Sequence, residues 1–242
     1  MANENNKGLN TNSNAYTIIY SVCMVIIVAF LLAFVYQTLK ERQEANVALD
    51  KKMQILYSLN IRGLSDEEAA NKYKEVVLSD VILNDDCQPT PNDQEGAESN
   101  GFLFNSAEYK NGDLVVYFCK VADEDIYVVP IYGMGLWGPI NGYVAVKADG
   151  KTIYGAYFNH ESETAGLGAE IKDSKDWQEK FIGKQIYSDD GNVALSVEKN
   201  VANPASEVDA VTGATLTSNG VRDMLQDGFA KYACFFKSLE QK

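Results

Sequence analysis

Asp209-Ala210-Val211-Thr212-Gly213-Ala214-Thr215-Leu216-Thr217-Ser218-Asn219-Gly220 is the stretch around which the rest of the chain is arranged. It gathers small and hydroxylated residues about a glycine, sets an acid upstream and leads into a long amphipathic run. Two readings follow. In one, a loop gives way to a helix capped by Thr217 or Ser218. In the other, a hydroxyl carries a phosphate group, because the first amides of a helix are unpaired and its dipole favours an anion there. The run that follows, Ser218–Leu239, places Val221, Met224, Leu225, Gly228, Tyr232, Phe235, Phe236 and Leu239 on one helical face.

Working back from that helix, strand-like runs occupy Leu114–Lys120, Ile126–Tyr132, Tyr143–Lys147, Thr152–Phe158 and Asn192–Glu198. Asp149-Gly150 signals a hairpin, and Asp173–Phe181 reads as a short helix holding Trp177. Strands in succession, with helices before, between and after, predict an α+β domain of mixed or antiparallel sheet flanked by helices. Asn84–Asn100 is acidic, lacks apolar periodicity and reads as a solvated loop.

The N-terminal part has a different character. Residues 1–14 are polar and read as a flexible tail. Ala15–Tyr36 contains no charged residue, and roughly 20 apolar residues suffice to cross a hydrocarbon core of about 30 Å. Tyr16, Tyr20 and Tyr36 lie toward its ends, where amphipathic rings favour the interface. Only Lys7 precedes the run, which is too long for a signal peptide, so a retained transmembrane helix is expected. Residues 37–83 read as a helical connector. In it Leu39–Leu59 spaces Val47, Leu49, Met53, Leu56 and Leu59 at helix-like intervals, Gly63 ends the helix, and Ser65-Asp66-Glu67-Glu68 opens another through about Val77. The soluble domain is assigned to 84–242.

Composition narrows the function. The 242 residues carry 21 Lys+Arg against 34 Asp+Glu, a formal charge of −13. Such a surface repels nucleic acid, whose binding relies on cationic contacts to phosphates. Cys23 lies in the apolar span. Cys87, Cys119 and Cys234 are scattered, which argues against a zinc site or an iron–sulfur cluster and leaves both a disulfide and buried free thiols open. His160 is the single histidine, and no nucleophile-elbow sequence accompanies it, which disfavours hydrolase chemistry.

Two further stretches carry chemistry. Gly133-Met134-Gly135-Leu136-Trp137-Gly138-Pro139 lacks the spacing and the following helix of a dinucleotide fingerprint, and reads either as a tight connector with a packed Trp or as a ligand-lining loop. His160-Glu161-Ser162-Glu163-Thr164-Ala165-Gly166-Leu167-Gly168 ends a strand. Its glycines allow backbone close to a flat ligand, and Glu163 and Thr164 could fix polar edges.

Together these motifs resemble the covalent FMN-binding domain family of sodium-translocating NADH:quinone reductases and the related Rnf complexes. Asp209 to Thr215 is similar to its Asp-x-x-Ser/Thr-Gly-Ala-Thr flavinylation motif. Glu163 to Gly168 resembles Glu-Thr-Pro-Gly-Leu-Gly with Ala165 in place of proline, which loosens a fixed φ. Gly135 to Pro139 and Asn46 to Lys51 are also similar. The resemblance covers nearly the whole chain and points to the C-type member of the reductase. It implies FMN joined through its phosphate to Thr215 by a separate flavin transferase using FAD. Thr212, Gly213 and Ala214 form the motif around Thr215, and Asp209 either orients the acceptor, serves the transferase's metal, or is a turn residue. Glu163, Thr164 and Leu167 are implied to contact the isoalloxazine ring, with Trp137 and Thr217 nearby. Thr217 and Ser218 remain N-cap and second-best attachment candidates.

The implied role is a one-electron relay between partner subunits of a membrane quinone reductase, with no catalytic or metal residues of its own. Lys40, Arg42, Lys51 and Lys52 follow the span, which under the positive-inside bias would hold the domain in the cytoplasm. The family places it in the periplasm, anchored to the inner membrane with the 1–14 tail cytoplasmic, and that expectation is followed. The alternatives are a G-type flavin subunit of an Rnf complex and an anchored extracytoplasmic ligand-binding module without redox turnover.

Overall fold

The apolar run and the charged stretch after it form one continuous helix, α1 (Asn14–Ser58, 45 residues). The structure, a computed structural model, describes residues 11, 13–84, 87–88 and 97–239. Of the tail expected at 1–14, residues 1–10 and 12 lie outside the described residues, as do 85–86 and 89–96 of the expected loop. The chain comprises two compact units, Met1–Ala48 and Leu49–Lys242. In the first, α1 exposes its large apolar side chains all round, including Ile18, Val25, Phe30 and Leu32. It is long and apolar enough to cross a membrane, and a helix apolar on every side that buries nothing in protein is what lipid would cover.

The second unit opens with the last turns of α1, where Ile55, Leu56 and the following Leu59 are buried. The expected stop at Gly63 is corrected. Asn60 already takes the left-handed conformation at φ 62°, the Ile61 amide donates to the Leu56 carbonyl at 2.9 Å, and the Asn60 amide donates to Tyr57 at 3.1 Å. These are the two bonds of a Schellman cap, with Asn replacing the usual glycine. Just before this cap Lys51 is drawn inward, its Nζ donating to the carbonyls of Phe102 at 2.5 Å and Phe104 at 2.7 Å. Burial lowers its pKa to about 8, outweighing the nearby Asp80 and Glu108.

Helix α2 (Asp66–Val76) starts as its capping signature requires, with the Ser65 amide donating to the Glu68 carboxylate at 2.9 Å. The remainder of the supposed helical connector is corrected: Val77–Leu83 is strand β1. It pairs antiparallel with β2 (Leu114–Val121) and forms one edge of the sheet. After the short helix α3 (Ser106–Asn111), strands β2, β3 (Glu124–Met134), β4 (Pro139–Lys147) and β5 (Ile153–His160) follow in spatial order, each antiparallel to the last. Ala122 and Asp123, both at positive φ, turn β2 into β3. Asp149 accepts the amides of Lys151 and Thr152 at 2.9 Å each to make the predicted β4–β5 turn.

The predicted helix 173–181 is two pieces, α4 (Glu170–Asp173) and α5 (Lys175–Glu179), because Ser174 breaks the first and accepts the Trp177 amide to cap the second. The strand expected over 192–198 shortens to β6 (Ser196–Glu198), paired in parallel with β7 (Glu207–Asp209). Helix α6 (Thr215–Leu239) then crosses the sheet on its predicted apolar face. A Cβ on Gly228 would stand 2.5 Å from Ile131 Cγ2, so the glycine sets how closely α6 approaches β3. The Tyr232 hydroxyl lies 3.0 Å from the Val115 carbonyl in the same core. Cys87 and Cys234 form a disulfide, fastening the loop after β1 to α6, while Cys119 is a buried free thiol.

Candidate functional site

The opening motif spans the end of β7, a tight turn and the start of α6. Gly213 has φ +79°, a conformation that side-chain-bearing residues rarely adopt. The turn closes with the Ala214 amide on the Val211 carbonyl at 3.1 Å, and the Ser218 amide on the Ala214 carbonyl at 2.9 Å begins the helix. The helix therefore starts three residues earlier than expected, at Thr215. Thr217 and Ser218 are not its caps. They are buried in the first turn, where the Ser218 hydroxyl instead accepts the Val211 amide at 3.0 Å. Ala214 precedes the helix and has no side-chain oxygen. Among the described residues the amides of Thr215, Leu216 and Thr217 have no protein acceptor. Thr212, Gly213, Thr215 and Leu216 are exposed. An exposed hydroxyl thus sits beside three unclaimed amides at the positive end of a 25-residue helix.

Behind this lip lies a hub centred on Glu163. Its carboxylate is buried, with Oε1 accepting the Trp137 amide at 2.9 Å and Oε2 accepting the Thr217 hydroxyl at 2.5 Å. The Glu163 amide in turn donates to His160 Nδ1 at 3.2 Å. A buried carboxylate is tolerated when both oxygens are hydrogen-bonded, and these two bonds tie together the three stretches singled out in the sequence. The glycines of those stretches make the room. A Cβ on Gly135 would lie 2.5 Å from Glu163 Oε1, and one on Gly168 would lie 2.5 Å from Oε2 and 2.6 Å from the Thr217 hydroxyl. Sequence reasoning assigned Glu163 to the ligand and missed this inward role. The one local signal was Gly168, five residues on, where a Cβ would meet the Glu163 carboxylate; the contact with Gly135 joins residues far apart in sequence.

The other expected residues point outward. Trp137 is 66% exposed and Leu167 43%, while Leu216 and Met134 are also open to solvent. Their anchoring differs: Trp137 is held to the hub through its amide on Glu163, Leu167 reaches the lip at Gly213, whose Cβ would stand 2.9 Å from Leu167 Cδ2, and the Met134 carbonyl lies against Gly220 in α6. Thr164 is exposed, and its carbonyl accepts the amides of Leu167 and Ala169 at 3.1 Å each, shaping the loop. Exposed aromatic and aliphatic side chains beside an anion-favouring helix start match the two halves of FMN, a flat apolar ring system and a phosphate.

Asp209 ends β7 with its carboxylate turned to solvent, where Lys180 Nζ holds both oxygens at 2.9 and 2.7 Å. Its carbonyl accepts the indole N–H of Trp177 at 2.8 Å. Neither Trp177 nor Lys180 was legible as a partner of the motif, being about 30 residues away in sequence. Among the described residues no cluster of His, Cys, Asp and Glu could hold a metal ion.

Known proteins are similar to this chain in sequence and fold. Residues 135–230 match the FMN-binding domain family, a span that runs from the hub's first glycine into α6. The chain is similar to the C subunit of the Na(+)-translocating NADH-quinone reductase of Vibrio anguillarum, 31% identical over 88% of this chain and 89% of that one. The protein of the same name from Haemophilus ducreyi is 28% identical over 95% and 96% of the two chains. Among solved structures, the C subunit of the reductase from Parabacteroides distasonis superposes with a TM-score of 0.73 at 33% identity, covering 82% of this chain and 96% of that one.

Proposed function

The chain belongs to the family of C subunits of the Na(+)-translocating NADH-quinone reductase, and on that premise we propose that it is the electron-relay subunit of such a complex, with FMN bound covalently as a phosphoester of Thr215. The observation that carries the covalent reading is the exposed Thr215 at the first position of α6, beside three amides without protein acceptors among the described residues. Thr217 and Ser218, the other candidates, are buried, with the Thr217 hydroxyl given to Glu163 and the Ser218 hydroxyl accepting the Val211 amide.

FMN supplies the ability to take up and release single electrons. The chain's own residues bind and orient it. The first-turn amides of α6 would hold the phosphate and offset its remaining negative charge. Gly213 and Ala214 leave space beside the ester, and Trp137, Leu167 and Leu216 offer apolar surface to the ring. Glu163 holds the loops bearing these groups. Attachment is the work of a flavin transferase. The Thr215 Oγ forms a bond to the flavin-side phosphorus of FAD, the pyrophosphate P–O bond breaks, and AMP leaves as the hydroxyl proton is released. NADH oxidation, quinone reduction and sodium passage belong to partner subunits: the glycine-rich run Gly133–Pro139 lacks a dinucleotide fingerprint, and the apolar run of α1 has no Asp, Glu, Lys, Arg or His along 15–36 to line an ion path.

The flavin unit faces the periplasm, with α1 as the anchor in the inner membrane. The disulfide Cys87–Cys234 supports that side, because such bonds persist in oxidising compartments and are rare in the cytosol. Intact-mass analysis after co-expression with a flavin transferase tests the attachment. The expected result is one FMN adduct that disappears in Thr215→Ala and returns in Thr215→Ser. An unmodified wild type, or an adduct surviving Thr215→Ala, overturns it. Thiol alkylation of unreduced membranes tests the side: Cys87 and Cys234 should resist labelling until a reductant is added.

A further inference from the structure

The residue that opens the attachment motif is gripped from outside the motif. Trp177 is buried, with its ring against Phe158 at 5.6 Å and Phe181 at 5.2 Å between centroids. Packing on two sides fixes the direction of its indole N–H, which donates to the Asp209 carbonyl at 2.8 Å. Immediately after the end of α5, on the protein surface, Lys180 bridges both Asp209 carboxylate oxygens at 2.7 and 2.9 Å. The neighbouring amides are also taken, Ala210 by the Glu198 carbonyl at 2.9 Å and Val211 by the Ser218 hydroxyl at 3.0 Å. An open cleft of about 320 Å³ runs alongside, with Trp177, Lys180, Asp209 and Thr212 among its walls.

We propose that Trp177 and Lys180 are positioning residues for the covalent attachment of FMN, holding Asp209 at its carbonyl and its carboxylate so that the Asp209–Thr215 segment meets the transferase in one conformation. The inference rests on the covalent reading above. Its physical basis is pre-organisation: an acceptor segment already ordered has less freedom to lose when the transferase binds it. The hydrogen bonds at the Ala210 and Val211 amides hold the segment after Asp209, and without Trp177 and Lys180 the Asp209 carbonyl and carboxylate would lose these side-chain partners. Trp177 supplies a directional bond from a rigid core, and Lys180 adds a weaker, solvent-exposed pair at the cleft rim.

The test uses the full-length chain, purified in detergent without flavin, then mixed with transferase and FAD. Adduct formation is followed by intact mass at several acceptor concentrations and normalised to the folded fraction by circular dichroism. Trp177→Phe keeps a buried ring and removes the donor. It should lower kcat/KM for the acceptor about fivefold, the worth of one ordinary hydrogen bond. Lys180→Met should lower it about twofold, with Lys180→Arg restoring the wild-type rate. Both losses should lie mainly in the acceptor's KM, which a general loss of stability would not produce once folded protein alone is counted. Wild-type rates in both variants overturn the inference while leaving the covalent reading intact, whereas an unmodified wild type overturns that reading and the inference together. Should Trp177→Phe fail to fold, Lys180→Met and Lys180→Arg decide alone, and equal rates for these two and the wild type overturn the proposal.

Discussion

Thr215 and Thr217 stand two positions apart on the first turn of α6, yet one is exposed and the other is sealed against Glu163. The outer lip, Thr212 to Leu216, offers a hydroxyl, unclaimed amides and apolar surface. The inner hub consists of Glu163, Thr217 and the Trp137 amide, and it closes on itself with both carboxylate oxygens and the amide of Glu163 engaged. Each helical residue turns the chain by roughly 100°, so near neighbours of like chemistry face different surroundings. On the proposed reading the contrast separates two duties: attachment belongs to the lip, and the shape that presents it belongs to the hub.

The lip breaks most completely. Thr215→Ala should abolish the adduct while leaving stability in urea within about 0.5 kcal/mol of wild type, as for other exposed substitutions. The hub should respond in the opposite sense. Gly168→Ala forces a methyl between Glu163 and Thr217, an overpacking expected to cost about 2 kcal/mol in urea denaturation. A midpoint equal to wild type would show that the hub is looser than its contacts imply.

A second charge drawn inward, the half-buried Lys51, lies remote from both regions in sequence. Lys51 has two carbonyl acceptors, yet burial holds its pKa near 8, below the usual lysine value. Between that value and the ordinary one, the unfolded chain binds a proton that the folded chain has lost. Stability should therefore rise as pH increases, by about 1.5 kcal/mol from pH 8 to pH 9.5, and fall again as pH returns through 8. Lys51→Met should flatten this rise. Parallel denaturation curves for the two proteins check it, since the buried tyrosines, whose pKa values are raised, contribute equally to both. Thr217→Val probes the hub from the helix side. Removing the hydroxyl leaves a buried Glu163 oxygen unpaired, which should cost about 2 kcal/mol and leave attachment at Thr215 in place, so loss of the adduct in this variant would erase the division between lip and hub.

Several elements were legible because their signals are local. The apolar span, the capping box at Ser65, the Asp149 turn and the one-sided face of α6 each follow from residues within a few positions of one another. Strand β1 was not, because Val77–Leu83 follows a helix without punctuation and becomes a strand only by pairing with β2. Strand β7 has three residues, too few for any period, and exists through its parallel partner. The stop of α1 at Asn60 was hidden by the more obvious Gly63, since the left-handed region is also open to asparagine. At the site, the motif singled out the exposed Thr215 proposed for attachment, whereas the inward turn of Glu163 and the grip of Trp177 and Lys180 on Asp209 depend on residues far apart in sequence.

By itself the sequence determined the anchor, the α+β character, the acidic surface and the stretch that bears the hydroxyl, since composition and short-range periodicity are written along the chain. The tertiary structure alone decided that α6 begins at Thr215, that Thr217 faces Glu163, that Cys87 meets Cys234 and that Trp177 reaches Asp209. The last three are contacts between distant residues and the first is the turn that delivers the helix to them, all set by how the sheet and α6 pack.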